Sequence, residues 1–508
     1  MKSFLKTVFS RVGMVSIGIL LQLLVLLASL LWFREYAPVI NTLSAILSWG
    51  FVLYLVAQNG NPAYKMAWII LILGFPVLGA TLYLIFGGNR LSPRLRRKMQ
   101  EIDRTLADHL TQDEAVIEAM RSADPDAVVM ARYLGSTVHC PACRNTETRY
   151  FPSGEDFFAS VLADLPKAEH TIYLEYFIVE FGEIWDQILR ILKQKAAAGV
   201  EIRFLYDDFG CIRRLPRHYD RELEALGIHT RVFNRFVPML DSRLNNRDHR
   251  KFLIIDGKIA YTGGVNLADE YANLGEKRFG VWKDCAVRLA GDAVYPITVM
   301  FLSMWNYVRK CEGIDPPPVR QTLPEAAGFV QPYLDSPLDE EAVGRNVFIN
   351  MISRARRYVW IMTPYLIVDE AMDEILTTAA KSGIDVRIIT PGIPDKPTVF
   401  EMTRANYEPL LKGGVRIFEY TPGFVHSKLF LADDESVAVG TVNLDFRSLY
   451  LHFEDGVWLY RAACVPDVRA DFDATFPLCR EITAADTAKV RLPRRLYRAV
   501  LRLLSPLM

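Results

Sequence analysis

Two short stretches of the sequence each place a histidine and a lysine two residues apart, with an aspartate five positions further on. The stretches are DHRKFLIIDG and VHSKLFLADD. Alternate residues of a strand point to the same face of a sheet, so each histidine is expected to project together with its lysine. A lone histidine beside a strand is usually structural, but a doubled H-x-K-x4-D pattern is not expected by chance. Its members are His249, Lys251 and Asp256, and His426, Lys428 and Asp433.

The residues after the two motifs also repeat. Each motif runs through an apolar stretch into a turn signal, and the chain returns as IAYTGGVN or SVAVGTVN, which predicts a hairpin. The returning strands bring Asn266 and Asn443 back beside the motifs. Asp256 and Asp433 belong to the motif and are counted with the candidate catalytic residues, although their place at the turn favours a structural role.

These residue types suit the cleavage of a phosphodiester. An anionic phosphodiester resists attack, so its cleavage needs a nucleophile, a proton donor for the leaving alkoxide, and cations around the phosphoryl oxygens. Two imidazoles can divide the first two roles, because their ordinary pKa lies near neutrality. Lys251 and Lys428 would neutralise charge, while Asn266 and Asn443 would donate hydrogen bonds. This arrangement requires no metal and no cofactor, and no carboxylate cluster typical of a metal site stands out.

The elements that must position these residues form two similar halves. HTIYLEYFIVE resembles YVWIMTPYLIVDE, and each is followed by a helical stretch, a second strand, another helix end and a third strand before the histidine motif. Strands that alternate with helices predict an α/β fold with a largely parallel sheet in each half. The proline-rich stretch EGIDPPPVRQTLPE marks the boundary, so the predicted lobes are residues 136–320 and 321–480.

The first 90 residues contain three apolar blocks, at about 12–33, 39–57 and 66–86. Each reaches the roughly 17–25 residues that a membrane-spanning helix needs, and the first is too long for a signal peptide. Residues 1–90 are therefore predicted to form transmembrane helices. The basic cluster RLSPRLRRK that follows them favours a cytoplasmic position for the rest of the chain, although Lys2, Lys6 and Arg11 favour the same side for the other end.

Residues 91–135 are polar and are predicted to be a connector, and residues 481–508 form a basic tail. A helix in this tail would carry leucines on one side and arginines on its flank, which fits either a helix in a membrane interface or a surface helix packed on the second lobe. The formal net charge of the chain is 0, which disfavours a nucleic-acid partner. The 7 dispersed cysteines do not form a disulfide pattern, and HCPAC is expected to contain two ordinary thiols in a turn.

The doubled motif resembles the signature of the phospholipase D superfamily, and the whole chain is similar to bacterial cardiolipin synthases. The resemblance rests on NPAYKMAWIILILGFPVLGATLYLIFGG, YFPSGEDFF, RDHRKFLIIDGKIAYTGGVNLADEY, VHSKLFLADDESVAVGTVNLDFRSLYLHFE and LLSPLM. It implies two phospholipase D-like lobes related by a pseudo-twofold axis, preceded by transmembrane helices in a bacterial cell membrane. One departure is His452, where the family pattern leads us to expect asparagine; it lies outside the motif and is expected to matter little.

The resemblance also implies an activity. A phosphatidyl group from one phosphatidylglycerol would pass through a phosphatidyl-histidine to a second, giving cardiolipin and glycerol. It favours His249 as the nucleophile, with His426 as acid and base. It also favours the carboxylates that follow the motifs, Asp284 after His249 and Glu454 after His426, as the groups that orient the histidines. Because the halves are so similar, the residues alone leave the two histidine roles open. A membrane-bound hydrolase, or a transferase that uses another alcohol, is the alternative. A non-catalytic lipid-binding protein is disfavoured because both motifs are intact, and the oligomeric state is not indicated.

Overall fold

In a computed structural model, the protein is described over residues 37–58, 62–87, 106–235, 246–309, 325–339 and 341–505, with isolated residues at 20, 23–24, 100–101 and 104. These residues form two compact units. One comprises the described residues up to 87 together with residue 246 and residues 499–505. The other comprises residues 100–235 and 247–498 as far as they are described, and it contains both histidine motifs.

The smaller unit is helical in its N-terminal part. Pro76 begins the third helix, where its fixed φ and missing N–H are tolerated. The buried residues of this unit form a small core of Leu55, Trp68, Ile72 and Tyr83. The second and third predicted apolar blocks fall on these helices, whereas nearly all of the first lies outside the described residues. Within the described part of the chain, no helix is long and apolar enough to cross a membrane. The elements are the helices Ala37–Val56, Pro62–Gly74 and Pro76–Leu82 and the π-helical turn Tyr83–Gly87.

The first half of the larger unit is built on a seven-stranded sheet with the order β1-β9-β7-β6-β2-β3-β4. Helices including Gly154–Asp164, Glu183–Ala197, Tyr219–Ala225 and Val294–Val308 accompany it. The strands of this half are β1 (Thr146–Phe151), β2 (Thr171–Tyr176), β3 (Glu201–Asp207), β4 (Ile228–Phe233), β5 (Arg247–Asp248), β6 (Phe252–Ile255), β7 (Ile259–Gly263), β8 (Val281–Lys283) and β9 (Ala286–Gly291).

The second half repeats this plan in a sheet with the order β10-β17-β16-β15-β11-β12-β13-β18. Its strands are β10 (Phe329–Asp335), β11 (Tyr358–Met362), β12 (Asp385–Pro391), β13 (Arg416–Tyr420), β14 (Gly423–Val425), β15 (Leu429–Ala432), β16 (Ser436–Gly440), β17 (His452–Tyr460) and β18 (Cys479–Ile482). Its helices are Val343–Arg354, Glu370–Lys381, Pro397–Ala405, Tyr407–Lys412, Phe446–Tyr450, Val465–Thr475, Ala484–Ala488 and Leu492–Leu504.

The matching strand orders confirm the predicted α/β duplication, but the prediction of largely parallel sheets is wrong. Along the two strand orders given above, only β2-β3-β4 and β11-β12-β13 run parallel. The strands that follow each motif form antiparallel hairpins, β6 with β7 and β15 with β16, as their turn signals predicted. These hairpins then add to the edge of the parallel strands through β2 and β11, so each sheet is mixed.

The region predicted as a polar connector contains two helices, Glu114–Ala123 and Ala127–Val138, in the larger unit. Gln331 of β10 donates its side-chain amide to the carbonyl oxygens of Ala131 and Cys140, at 3.0 and 2.7 Å. Cys143 pairs with Val330 through backbone hydrogen bonds. Cys140 and Cys143 are buried free thiols, and burial raises the pKa of Cys140 to about 12, which makes it inert at neutral pH.

Candidate active site

Two short strand pairs that cross between the lobes bring the histidine motifs together. β5, just before His249, runs parallel to the start of β17, and β14, just before His426, runs parallel to β8. The backbone N–H of His249 donates to the carbonyl of Phe453 at 2.9 Å, and that of His426 donates to the carbonyl of Lys283 at 2.7 Å. The predicted placement of both motifs on regular strands is therefore wrong in detail. His249, Lys251, His426 and Lys428 lie in the extended connections before β6 and β15.

The strand pairs between the lobes also place each carboxylate beside the histidine of the other lobe. Nδ1 of His249 lies 2.8 Å from Oε2 of Glu454, and Nδ1 of His426 lies 2.7 Å from Oδ2 of Asp284. Pairing each histidine with the acid that follows it in the same lobe, the simplest assumption from chain order, is incorrect. Each histidine is oriented by an acid of the other lobe, because β5 pairs with β17 and β14 with β8. Both acids are fully buried.

The two carboxylates are held in place by different groups. Thr441 and Ser448 both donate their hydroxyls to Glu454, the latter at 2.7 Å. At the position in the first lobe that corresponds to Thr441 stands Gly264, where a Cβ would lie only 2.0 Å from Oδ1 of Asp284. The glycine is required because the carboxylate occupies the space of a side chain. The G-[GT]-x-N pattern therefore supports the acids, a role that sequence reasoning missed.

Burial and the carboxylates determine the charge of the histidines. Burial lowers the pKa of His249 to about 3 and that of His426 to about 4, against the opposing effect of the neighbouring acids. Burial would raise the pKa of Glu454, but the contact with His249 reverses this and lowers it. Neutral imidazoles beside ionised carboxylates donate from Nδ1, which leaves the lone pair on Nε2 of His249 for chemistry and that of His426 facing Lys428.

The two lysines are buried beside their histidines. Nζ of Lys251 donates to the carbonyl oxygen of His249 at 2.6 Å, and Nζ of Lys428 lies 2.9 Å from each ring nitrogen of His426. Burial lowers the pKa of Lys251 to about 8 and that of Lys428 to about 7. Two buried ammonium groups are poorly solvated, so the site favours an anion that would be shared between them.

The two asparagines are not equivalent. Oδ1 of Asn266 accepts from the N–H of Ile178 at 3.0 Å, and its Nδ2 donates to the hydroxyl of Tyr271 at 2.7 Å. Asn443 is buried, and its Oδ1 has no hydrogen-bond partner among the described residues. This free Oδ1 is an acceptor and cannot bond a phosphoryl oxygen, so a phosphate contact of Asn443 would have to come from its Nδ2. Asn266 is engaged in supporting the loop and Tyr271.

The motif aspartates lie at the other end of the hairpins. Asp256 accepts from the backbone N–H groups of residues 169–171 at 2.7–2.9 Å, and Asp433 accepts from those of residues 356–358 at 2.6–2.9 Å. β6 separates Asp256 from Lys251, and β15 separates Asp433 from Lys428. Both aspartates have positive φ, at 52° and 57°, as their turns require. Their geometry ties the hairpins to β2 and β11, and it does not bring them to the histidine pair.

Sequence reasoning also missed Asp455, the neighbour of Glu454. Its Oδ1 accepts from the backbone N–H of Lys251 at 3.1 Å, and its Oδ2 accepts from the hydroxyl of Thr262. Burial raises the pKa of Asp455 to about 7. The doubled acid in HFED was the available signal: because neighbouring residues of a strand face opposite ways, one serves His249 and the other fixes the backbone at Lys251.

His452 lies beside the first histidine rather than apart from the site. Its ring centroid is 5.6 Å from that of His249, and its Nδ1 is 3.6 Å from Oε1 of Glu454. Neither ring nitrogen has a hydrogen-bond partner within the described chain. His249, His452 and Glu454 have ligand atoms within 4.8 Å of one another, which is compatible with a metal ion. Both oxygens of Glu454 already accept hydrogen bonds from the protein, and Oε2 is the atom that holds Nδ1 of His249.

Comparison with known families agrees with this geometry. A family described as "Cardiolipin synthase, PLD-like domain" matches residues 161–279 and 348–476, so each match contains one histidine and its lysine. A family described as "Phospholipase_D-nuclease N-terminal" matches residues 44–88. The structure of a phosphatidylserine synthase from Haemophilus influenzae superposes with a TM-score of 0.57 at 13% identity, over 75% of this chain and 99% of that chain. The fold is therefore that of a two-lobed phospholipase D-like protein.

Curated relatives of similar length show which family of phospholipase D-like proteins the chain resembles. A cardiolipin synthase of Geobacillus kaustophilus is 35% identical, over 89% of this chain and 90% of that protein. One from Alkalihalophilus pseudofirmus is 34% identical, over 94% and 95%. An uncharacterized protein of Streptococcus mutans is 42% identical, over 90% of this chain and 100% of that protein. The chain belongs to the cardiolipin synthase family.

Proposed function

We propose that this protein is a phosphatidyltransferase that converts two molecules of phosphatidylglycerol into cardiolipin and glycerol. The observation that carries the proposal is the pair of buried histidines, each with Nδ1 held by a carboxylate of the opposite lobe. The family relationship supplies the substrate class. We further propose that the half-sites belong to lobes of residues 136–320 and 321–480, with a connector at 91–135 and a tail at 481–508.

In the first step, Nε2 of His249 attacks the phosphorus of one phosphatidylglycerol. The bond from phosphorus to the glycerol oxygen breaks, and His426 in its protonated form gives its proton to the departing alkoxide. The products are glycerol, a phosphatidyl group on His249 and a neutral His426. Burial lowers the pKa of His426 in the free protein, and the negative charge of the bound phosphodiester counteracts this and favours the protonated acid.

In the second step, neutral His426 takes the proton from a hydroxyl of the second phosphatidylglycerol. The oxygen attacks phosphorus, the phosphorus–nitrogen bond breaks, and cardiolipin leaves with both histidines restored. Nζ of Lys251, Nζ of Lys428 and Nδ2 of Asn443 would donate hydrogen bonds to the phosphoryl oxygens through both steps. Since each step exchanges one bond to phosphorus for another, the reaction can also run from cardiolipin and glycerol back to phosphatidylglycerol.

We propose that residues 1–90 attach the enzyme to the bacterial cell membrane, with the lobes on the cytoplasmic side. The helix Ala37–Val56 supports an apolar environment, because Leu47 and Leu53 are 73% and 67% exposed. The apolar blocks of the sequence and the basic cluster that follows them support insertion and this orientation. A compartment-sensitive reporter fused after Met508 tests the orientation: activity only outside the cell would contradict it.

Product analysis tests the activity directly. The purified full-length protein is assayed in mixed micelles with phosphatidylglycerol as the only lipid, and the products are identified by mass. Cardiolipin with equimolar glycerol is the expected result. Accumulation of phosphatidic acid without cardiolipin would replace the transferase by a hydrolase. Acid quenching during turnover, followed by peptide mapping, is expected to place the phosphatidyl group on His249; a group found on His426 would reverse the two roles.

A further inference from the structure

In the first part of the C-terminal helix Leu492–Leu504, two arginines contact the second lobe and two leucines are exposed. Arg494 and Arg498 are one turn apart, and both pair with Glu401. Leu492 and Leu496 lie on a different face and are 69% and 60% exposed. A surface helix that packed through its apolar side would bury these leucines. The helix instead contacts the lobe through Arg494 and Arg498, so Leu492 and Leu496 are free to meet another surface.

A basic cavity of about 680 Å³ borders the same helix. The acidic side chains that line it are Glu419 and Asp486, and Glu419 is occupied by a two-pronged pair with Arg404 at 2.8 Å. Lys489 and Arg491 form no ion pair within the described part of the chain. Cations therefore outnumber acids in the lining, which suits an anion such as a phosphate group. The lining cations are Arg404, Arg480, Lys489, Arg491, Arg494 and Arg498.

We propose that the C-terminal helix and this cavity form a binding site for an anionic phospholipid of the bilayer, which holds the second lobe on the membrane surface. The exposed leucine stripe enters the apolar part of the interface, and the phosphate of a neighbouring lipid occupies the basic cavity. An exposed apolar stripe beside a cationic cavity matches a lipid, which carries an anionic head and apolar chains. The site extends the membrane location given above and rests on it, but none of its residues belongs to the histidine pair.

Hydrogen exchange of the full-length protein in lipid nanodiscs tests the site. Nanodiscs of phosphatidylcholine alone are compared with nanodiscs that also contain phosphatidylglycerol, and exchange is followed in peptides from residues 484–505. We expect slower exchange only when the anionic lipid is present. Equal exchange in both nanodiscs overturns the proposal. Slowing by inorganic phosphate added to the phosphatidylcholine nanodiscs, to the same extent, would mean a free-anion site and would overturn the assignment to a lipid.

Two variants separate the parts of the site. Leu496→Glu removes the apolar contact and is expected to lower the lipid-dependent slowing by roughly tenfold, because burying a leucine is worth about 1.5–3 kcal/mol. Lys489→Glu combined with Arg491→Glu is expected to remove the dependence on phosphatidylglycerol. Leu478→Glu, at a leucine that is 49% exposed elsewhere in the lobe, is the matched control. Unchanged exchange in Leu496→Glu contradicts the proposal, whereas turnover in micelles separately tests the proposed reaction.

Discussion

The two halves of the active site share one backbone plan but place their histidines in different surroundings. In the first half, Arg250 lies next to His249 in the chain and is buried, with its guanidinium 2.6 Å from Glu175 and 3.0 Å from Asp248. In the second half, Ser427 takes the position of Arg250. The ring of His426 lies among three aromatic rings, with centroid distances of 5.3 Å to Tyr271, 5.4 Å to Trp282 and 6.0 Å to Phe424. The ring of His249 has Phe177 at 5.0 Å.

This difference shows how a duplicated fold can give its two histidines separate roles. The backbone places the imidazoles symmetrically, and the crossed acids make each half depend on both lobes. The surroundings then differ, since the chain neighbour of His249 is the buried, paired Arg250, whereas His426 has a serine neighbour and three aromatic rings around it. Neither lobe contains a complete histidine–acid pair of its own, so we expect neither to be active alone.

Replacing either histidine should have the largest effect on activity, and the two replacements should differ in kind. His249→Ala and His426→Ala are each expected to lower turnover on the order of 10³-fold or more. A phosphatidyl ester of nitrophenol has a leaving group that needs no proton. With this substrate His426→Ala should still release nitrophenol, whereas His249→Ala should not. His229→Ala is the control, because His229 is an exposed histidine on β4. Recovery in His249→Ala instead would exchange the assigned roles.

The crossed acids provide the next test. Glu454→Gln and Asp284→Asn should each lower turnover by about 10²–10⁴-fold, because the amide no longer holds the imidazole in its reactive tautomer. If the acids serve the opposite lobes, Glu454→Gln slows nitrophenol release and Asp284→Asn mainly slows the reaction with phosphatidylglycerol. The reverse pattern would mean that each acid serves its own lobe. Glu435→Gln, in an exposed ion pair with Arg461, is the matched control.

Much of the site was predictable from local pattern, because its parts lie at short, repeated spacings. The histidines, lysines and hairpins follow from the doubled motif and its turn signals. Glu454 and Asp284 were identified as the orienting acids, but each was associated with the histidine of its own lobe, which is wrong. The pairing of β5 with β17 and β14 with β8 joins segments about two hundred and one hundred and forty residues apart. Nothing local in either strand specifies such a contact.

Long-range contacts also account for the other differences between sequence and structure. The mixed sheets follow from where the hairpins attach, and attachment to β2 or β11 is again a long-range choice. Asn266 was predicted to bind phosphate because its spacing matches that of Asn443. Its contact with Tyr271 depends on a turn in ADEY that the second lobe does not repeat. Local repeats thus predict which residues occupy equivalent positions. The contacts around each residue determine whether the two residues have the same role.

Loss of charge from the two lysines should limit activity at alkaline pH, and Lys428 should lose its charge at a lower pH than Lys251. Burial lowers the pKa of Lys428 to about 7 and of Lys251 to about 8, so in the free enzyme their positive charges are lost as the pH rises through this range. We expect kcat/KM to fall over the same range, while kcat falls at higher pH because bound phosphate stabilises the ammonium forms. Lys428→Arg, which stays charged, should move the decline in kcat/KM to higher pH. An unchanged profile would show that Lys428 does not cause it.

Replacing the motif aspartates should have the smallest effect on the reaction and a clear effect on stability. Asp256→Ala and Asp433→Ala each leave three backbone N–H groups without their acceptor, yet neither aspartate lies at the histidine pair. The N–H of Thr171 beside Asp256 is buried, whereas those of Arg356 and Arg357 beside Asp433 are exposed. Water can replace the acceptor only at the second turn, so Asp256→Ala should cost more, about 1–3 kcal/mol for a buried unpaired donor.

Thermal unfolding in detergent, followed together with turnover at low temperature, measures this difference. The apparent Tm should fall further in Asp256→Ala than in Asp433→Ala, while the turnover of the folded fraction changes by only a few-fold in either variant. Each variant is the control for the other, because the same residue type is removed from the equivalent turn of the other lobe. A loss of turnover comparable to that of His249→Ala, at an unchanged Tm, would instead place the aspartates in the chemistry and would remove the distinction between the two ends of the hairpins.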